Sequence, residues 1–96
     1  MDNLKNITIP FHTTMEDAPK GGKEILLFGG DIFYDSDMYM ERYPNKGLVM
    51  GSLTTRYGYT NTYSIGKETY EDEIWLENPT GWIDPEDILK ELNKNV

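Results

Sequence analysis

The chain has no cysteine. Disulfides are excluded, and so are thiol catalysis and cysteine-ligated zinc or iron–sulfur centres. That usage fits a reducing cytoplasm. Histidine is almost as scarce, with His12 the only one. A multi-histidine metal site is therefore ruled out, and a catalytic triad would rest on a single imidazole with no recognisable partner beside it. Beside Phe11, the plainer reading of His12 is a surface or half-buried side chain. Basic residues are also few: 9 Lys and Arg stand against 17 Asp and Glu, for a net charge of -8. Nucleic acid and anionic lipid bind through Lys and Arg, so neither is an expected direct partner. No apolar run approaches the roughly 20 residues that cross a bilayer. No basic head followed by an apolar stretch marks a signal peptide. A cytoplasmic protein is the expectation.

What is present describes one domain. The 96 residues leave no room for a second core. Residues 1–6 read as a loose polar tail. Aromatics make up 12% of the chain, and disordered segments are poor in them, so a folded core is expected. Residues 7–9 alternate and are ended by Pro10, as a short strand would be. The clearest strand is 23–28, whose run Ile25-Leu26-Leu27-Phe28 suits burial on both faces. Gly29-Gly30 breaks it, and 32–34 reads as its hairpin partner across that turn. Asp35, Ser36 and Asp37 are helix-capping types, so 38–43 reads as loop with about two turns of helix. Residues 48–56 and 59–65 are rich in β-branched and aromatic residues and read as an antiparallel hairpin about Tyr57-Gly58. Short strands at 73–76 and 80–83 carry Trp75 and Trp82. Residues 84–93 hold the best-signalled helix. Asp84 caps it, Pro85 suits the first position, and Glu86 and Asp87 meet the positive end of its dipole. Ile88, Leu89 and Leu92 form its apolar stripe. The fold class is α+β: a small antiparallel sheet or partly open barrel of about four to six strands, with the C-terminal helix packed on it. The expected core is Ile25, Leu27, Phe28, Trp75, Trp82, Ile88 and Leu92.

Candidate functional residues are mostly acidic. Asp31, Asp35, Asp37 and Glu41 form a first run, with Tyr39 among them. Glu68, Glu71, Asp72, Glu73 and Glu77 form a second, with Tyr70. Acids interleaved with tyrosine on one face would suit the basic groove of a nucleic-acid-binding protein, charge speeding encounter and aromatic burial anchoring it. The plainer reading of each residue is a solvated carboxylate or a core tyrosine. The 31–41 stretch is also a conceivable cation loop, though it lacks the spacing, central Gly and terminal Glu of an EF-hand. Gly21-Gly22 and Gly29-Gly30 match neither a P-loop nor a dinucleotide fingerprint. No cofactor is implied, and a chain this short offers little room for a deep substrate cleft, so no enzyme is expected.

Two stretches carry a resemblance. One is Met15-Glu16-Asp17-Ala18-Pro19-Lys20-Gly21-Gly22 running into the strand Lys23-Glu24-Ile25-Leu26-Leu27-Phe28. The other is Asn78-Pro79-Thr80-Gly81-Trp82-Ile83-Asp84-Pro85. Together they resemble the Ala-Pro-Lys-Gly opening and Thr-x-Trp closing segments of small phage- and prophage-encoded domains of unknown function. Here the second motif departs by running on into a capped helix. The resemblance implies a mobile-element origin and transfers no site residues. The leading expectation is a phage accessory protein that inhibits a host defence protein with a basic nucleic-acid-binding surface, as anti-CRISPR proteins do. The partner-binding residues would be Asp31, Asp35, Asp37, Tyr39, Glu41, Glu68, Tyr70, Glu71, Asp72 and Glu73. The alternatives are a homo-oligomeric assembly module using the Thr- and Tyr-rich hairpin as a pairing edge, and a small-ligand or cation-binding domain built on the 31–41 loop.

Overall fold

The computed structural model describes residues 6–35, 40–54, 61–66 and 73–94. Seven strands precede one helix: β1 (Ile25–Phe28), β2 (Asp31–Asp35), β3 (Met40–Pro44), β4 (Leu48–Leu53), β5 (Thr62–Gly66), β6 (Glu73–Glu77), β7 (Gly81–Ile83) and α1 (Pro85–Asn93). They form one antiparallel sheet in the order β3-β2-β6-β5-β4-β1-β7, open at β3 and β7. The small, mostly antiparallel sheet with a C-terminal helix matches the expected architecture, with more strands than the four to six anticipated.

The connections show that this sheet is curled. β1 and β2 lie four strand positions apart, about 19 Å in a flat sheet. Only Gly29 and Gly30 join them, and that link reaches at most about 11 Å. The links from β3 to β4 and from β6 to β7 make the same jump. All three crossings meet at one junction. Asn45 donates from its backbone N–H to the Gly30 carbonyl at 2.9 Å and from its side chain to the Gly29 carbonyl at 3.1 Å. The Thr80 N–H donates to the Phe28 carbonyl at 2.9 Å. Gly29 and Gly30 both have φ of +78°, which favours glycine.

Curling gives the sheet an inner and an outer face, and the register assigns residues to them. Leu27 pairs with Val49 and Trp82, and Leu76 with Tyr63 and Ile32. These face inward, where Ile25, Leu27, Leu76, Tyr63, Trp82 and Ala18 form the buried core. Met15, Ile32, Val49, Leu53 and Ile65 pack against it. Gly51 sits within this layer because a Cβ there would lie 2.8 Å from the Ile65 side chain and 2.9 Å from the Ser64 carbonyl.

Several expectations are corrected. Residues 7–9 form no strand; instead His12 makes an isolated antiparallel bridge to Trp82, with N–H to carbonyl bonds of 2.9 Å in both directions. β1 and β2 are not a hairpin, since the Gly-Gly link carries the chain across the sheet rather than back along it. Residues 40–43 belong to β3, not a helix; β2 offers them a full antiparallel ladder, and Pro44 is tolerated because β3 is an edge. The remainder of the expected 38–43 helix lies outside the described residues. β4 and β5 do pair as a hairpin, with Leu53 opposite Tyr63, and the 57–58 turn is also outside the description. Both strands are interior, so the backbone of the described hairpin is not a pairing edge. Ile25, Leu27 and Trp82 are buried as expected, whereas Trp75 and Ile88 are half-buried. Phe28 is on the outer face, 46% exposed, and Leu92 is 51% exposed. The helix contributes no fully buried residue to the core, and Ile88 is the apolar residue that it half-buries.

The helix start is secured by polar contacts. The Asp84 side chain accepts from the Glu86 N–H at 2.9 Å, and Lys23 reaches Asp84 at 2.9 Å and Glu86 at 3.5 Å. The hydrogen bond from Lys23, aided by the Glu86 N–H and against desolvation, holds the Asp84 carboxyl below its ordinary value. A depressed folded-state pKa contributes stability above the unfolded value, lost as pH falls through the folded one. Asp84→Ala should therefore cost about 1 kcal/mol near neutrality. It should also make stability less steeply dependent on acid below about pH 4. Chemical denaturation across that range reads both effects.

Candidate functional site

The outer face of β3, β2 and β6 carries the most distinctive surface chemistry. Strand alternation places Asp31, Phe33 and Asp35 on one side of β2. The β2–β6 register sets Asp31 opposite Glu77, Phe33 opposite Trp75 and Asp35 opposite Glu73. Phe33 and Trp75 stack with nearly parallel planes, centroids 5.6 Å apart and an interplanar angle of 14°. From β3, the Arg42 guanidinium sits 5.2 Å above the Phe33 ring and reaches the Glu77 carboxylate at 3.2 Å. The result is an aromatic strip with carboxylates at its ends, one of them matched by Arg42. Asp31 and Asp35 have no ion-pair partner among the described residues.

Aligning like charges across a ladder works against folding, since directly opposed carboxylates repel. Arg42 offsets this at Glu77. The aromatic pair contributes in the other direction, about 0.5–1.5 kcal/mol beyond its area.

Of the residues singled out from the sequence, β2 and β6 bring Asp31, Asp35 and Glu73 onto neighbouring strands. Glu41 is placed apart: it pairs with Tyr34, so it takes the opposite face of the sheet from Asp31 and Asp35. Asp37, Tyr39, Glu68, Tyr70, Glu71 and Asp72 lie outside the described residues. Asp31 and Asp35 belong to a strand rather than a loop, which removes the described part of the proposed cation loop. Among the described residues no group of three or more acidic or histidine side chains is arranged to hold a metal ion. The residues that sequence reasoning missed are Phe33, Arg42, Trp75 and Glu77 as parts of one surface. Glu77 was visible in the second acidic run, and alternation about Phe33 and Trp75 was the available signal.

A second polar cluster gathers round the only histidine. His12 stacks on Trp82 with centroids 3.9 Å apart and an angle of 8°. Asp17 bridges the two: one oxygen accepts from the Trp82 indole N–H at 3.3 Å, and the other lies 3.2 Å from His12 Nδ1. Desolvation would raise the Asp17 carboxyl, but the Trp82 bond, a backbone bond and the neighbouring His12 together hold it below its ordinary value. So His12 does have a carboxylate partner, which the sequence did not disclose because Trp82, 70 positions on, organises the pair. The cluster fastens residues 11–18 to β7. In a Trp75→Phe background, Asp17→Ala should make Trp82 more accessible to acrylamide; unchanged quenching would remove this fastening role.

No helix among the described residues is long and apolar enough to cross a membrane. Comparison with protein-family models, curated proteins and solved structures finds no match to this chain.

Proposed function

We propose that the chain is a phage-encoded accessory protein that acts by protein–protein binding, its acidic sheet face docking on the basic nucleic-acid-binding surface of a host defence protein. One observation carries the reading: the β2–β6 pairing joins acids from runs more than thirty residues apart in sequence, Asp31 with Glu77 and Asp35 with Glu73. The Phe33–Trp75 strip between them supports it, because aromatic area supplies the anchoring that exposed charge does not. The net charge of -8 favours a cationic partner and opposes direct contact with nucleic acid. The phage origin rests on the resemblance of the 15–28 and 78–85 segments.

The test is capture of host proteins on the tagged chain, washed at low and then high salt. A nucleic-acid-binding protein retained at about 50 mM salt and released near 1 M, where the screening length shrinks to about 3 Å, is the expected result. Retention of only unrelated proteins, or release unaffected by salt, would count against it.

A further inference from the structure

Two strands of the outer face carry the same short pattern, an aromatic followed two residues later by an acid: Phe33 and Asp35 on β2, Trp75 and Glu77 on β6. Phe33 and Trp75 are register partners in an antiparallel pair. A local two-fold axis therefore runs between them, relating Phe33 to Trp75 and Asp35 to Glu77. The same axis relates the strands on either side. Arg42 of β3 lies opposite Phe33, and Ser64 of β5 lies opposite Trp75. One row on the outer face thus runs Arg42, Phe33, Trp75, Ser64 across four strands.

One half of this row holds a guanidinium. Arg42 sits 5.2 Å over the Phe33 ring and reaches Glu77, the carboxylate diagonal to that ring, at 3.2 Å. The chemistry suits the group: a flat, weakly hydrated cation stacks on a π face while its N–H groups meet a carboxylate. Phe33 thus has Arg42 on one side and Trp75, stacked at 5.6 Å, on the other. The two-fold relation repeats the parts in the second half. Trp75 supplies the ring, and Asp35 is the carboxylate diagonal to it. Diagonal neighbours on a sheet are about 7–8 Å apart, a span that Arg42 shows a guanidinium bridging on this face. Asp35 has no ion-pair partner among the described residues. The position related to Arg42 is Ser64, exposed, short and uncharged, so β5 brings no cation to that point of the row.

We infer that Trp75 and Asp35 form a cradle for an arginine side chain of a protein partner. The guanidinium lies on the Ser64 side of Trp75 and pairs with Asp35, as Arg42 lies on Phe33 and pairs with Glu77. Lysine fits less well, because its compact ammonium is strongly hydrated and cannot stack. A metal ion fits less well still, since no group of three or more ligating side chains is assembled among the described residues. The inference rests on the reading of the acidic face as a docking surface, and it names the side chain that anchors there. Anchoring by a stacked arginine also gives the face a specificity that net charge alone does not supply.

The test needs no host protein. N-acetyl-arginine amide and N-acetyl-lysine amide, at matched ionic strength, are titrated to about 50 mM, a range suited to single-side-chain affinities. The readout is the indole N–H resonance of each tryptophan, assigned with Trp75→Phe. Arginine should shift the Trp75 signal saturably and leave that of Trp82 unmoved. Lysine should bind at least about threefold more weakly. Asp35→Asn should weaken arginine by about the same factor. Ser64→Arg supplies the cation internally, at the position related to Arg42, and should remove the response. Ser64→Gln, uncharged and of intermediate length, should keep it; both changes are at an exposed residue, and circular dichroism checks that the fold is retained. No saturable shift at Trp75, equal affinity for lysine, or a response that survives Ser64→Arg would each overturn the inference. Should arginine fail while host capture succeeds, the face docks by charge without this anchor. Should arginine bind while capture fails, the cradle stands and the host-defence reading falls.

Discussion

Gly30→Ala should destabilise the fold by at least about 3 kcal/mol, more than half of a total stability of the order of 5 kcal/mol for a small domain. Two costs coincide there. The residue has φ of +78°, a region in which a Cβ costs about 1–2 kcal/mol. A Cβ would also fall within 2.9 Å of the Asn78 carbonyl group and closer still to the Glu77 carbonyl, both backbone atoms. Glu77 belongs to β6 and is paired with Asp31, so it cannot retreat without opening the β2–β6 ladder. Two neighbouring glycines serve as internal comparisons. Gly22 has φ of +90° but nothing within 4 Å of an added Cβ, so Gly22→Ala should cost only the conformational part, about 1 kcal/mol. Gly29 has the same φ as Gly30, but its added Cβ would meet the Thr80 side chain, which can rotate away. Gly29→Ala should fall between the two. Urea denaturation of the three variants gives the order directly. Equal losses at Gly22 and Gly30 would mean that the crossing junction is not tightly packed.

That junction is also where reading from sequence stopped. Local signals located most elements. The Asp84-Pro85-Glu86-Asp87 start marks α1, the apolar run marks β1, and β-branched and aromatic residues mark β4 and β5. Each rests on chemistry contained within a few residues. What local signals do not contain is partner choice. Gly29-Gly30 has the composition of a hairpin turn, and only the competing ladders, β1 with β4 and β2 with β6, turn it into a crossing. Asp35, Ser36 and Asp37 have the composition of a helix cap, but pairing Phe33 with Arg42 and Tyr34 with Glu41 satisfies more backbone groups than two isolated helical turns. Phe28 and Leu92 were assigned to the core on hydrophobicity alone. Phe28 is exposed because its neighbour Leu27 takes the inner face and alternation leaves it the outer one. Leu92 is exposed because α1 half-buries Ile88 and leaves the rest of its apolar stripe, Leu89 and Leu92, in solvent. The candidate site shows the same division. Both acidic runs were legible, whereas their meeting across β2 and β6, with Phe33 and Trp75 between, depends on a register set over about forty residues.

Replacing Asp31 and Asp35 together with lysine should raise stability while abolishing binding to a cationic partner. Asp31 stands directly opposite Glu77, whose carboxylate Arg42 also partners, so lysine at 31 removes the repulsion that Arg42 leaves and adds a second cation beside Glu77. A gain of about 0.5–1 kcal/mol is expected, and for a domain of this size it should raise the melting temperature by roughly 2–6 °C. Binding should move the other way. If these carboxylates meet a basic surface, reversal places like charges at the contact. The loss should be at least 100-fold at low salt, shrinking as salt screens it. The opposite signs give the experiment its force. A variant that is less stable and binds less has merely been damaged, whereas one that melts later and no longer binds has lost a surface kept charged at a cost to the fold. Glu16→Lys with Glu24→Lys shifts the net charge equally at exposed positions away from β2, and it should weaken binding by less than tenfold. If it weakens binding as much as the strand pair does, overall charge alone is responsible and the β2–β6 face has no special part in recognition. If the strand pair leaves binding intact, the partner docks elsewhere, and the opposed acids need another explanation.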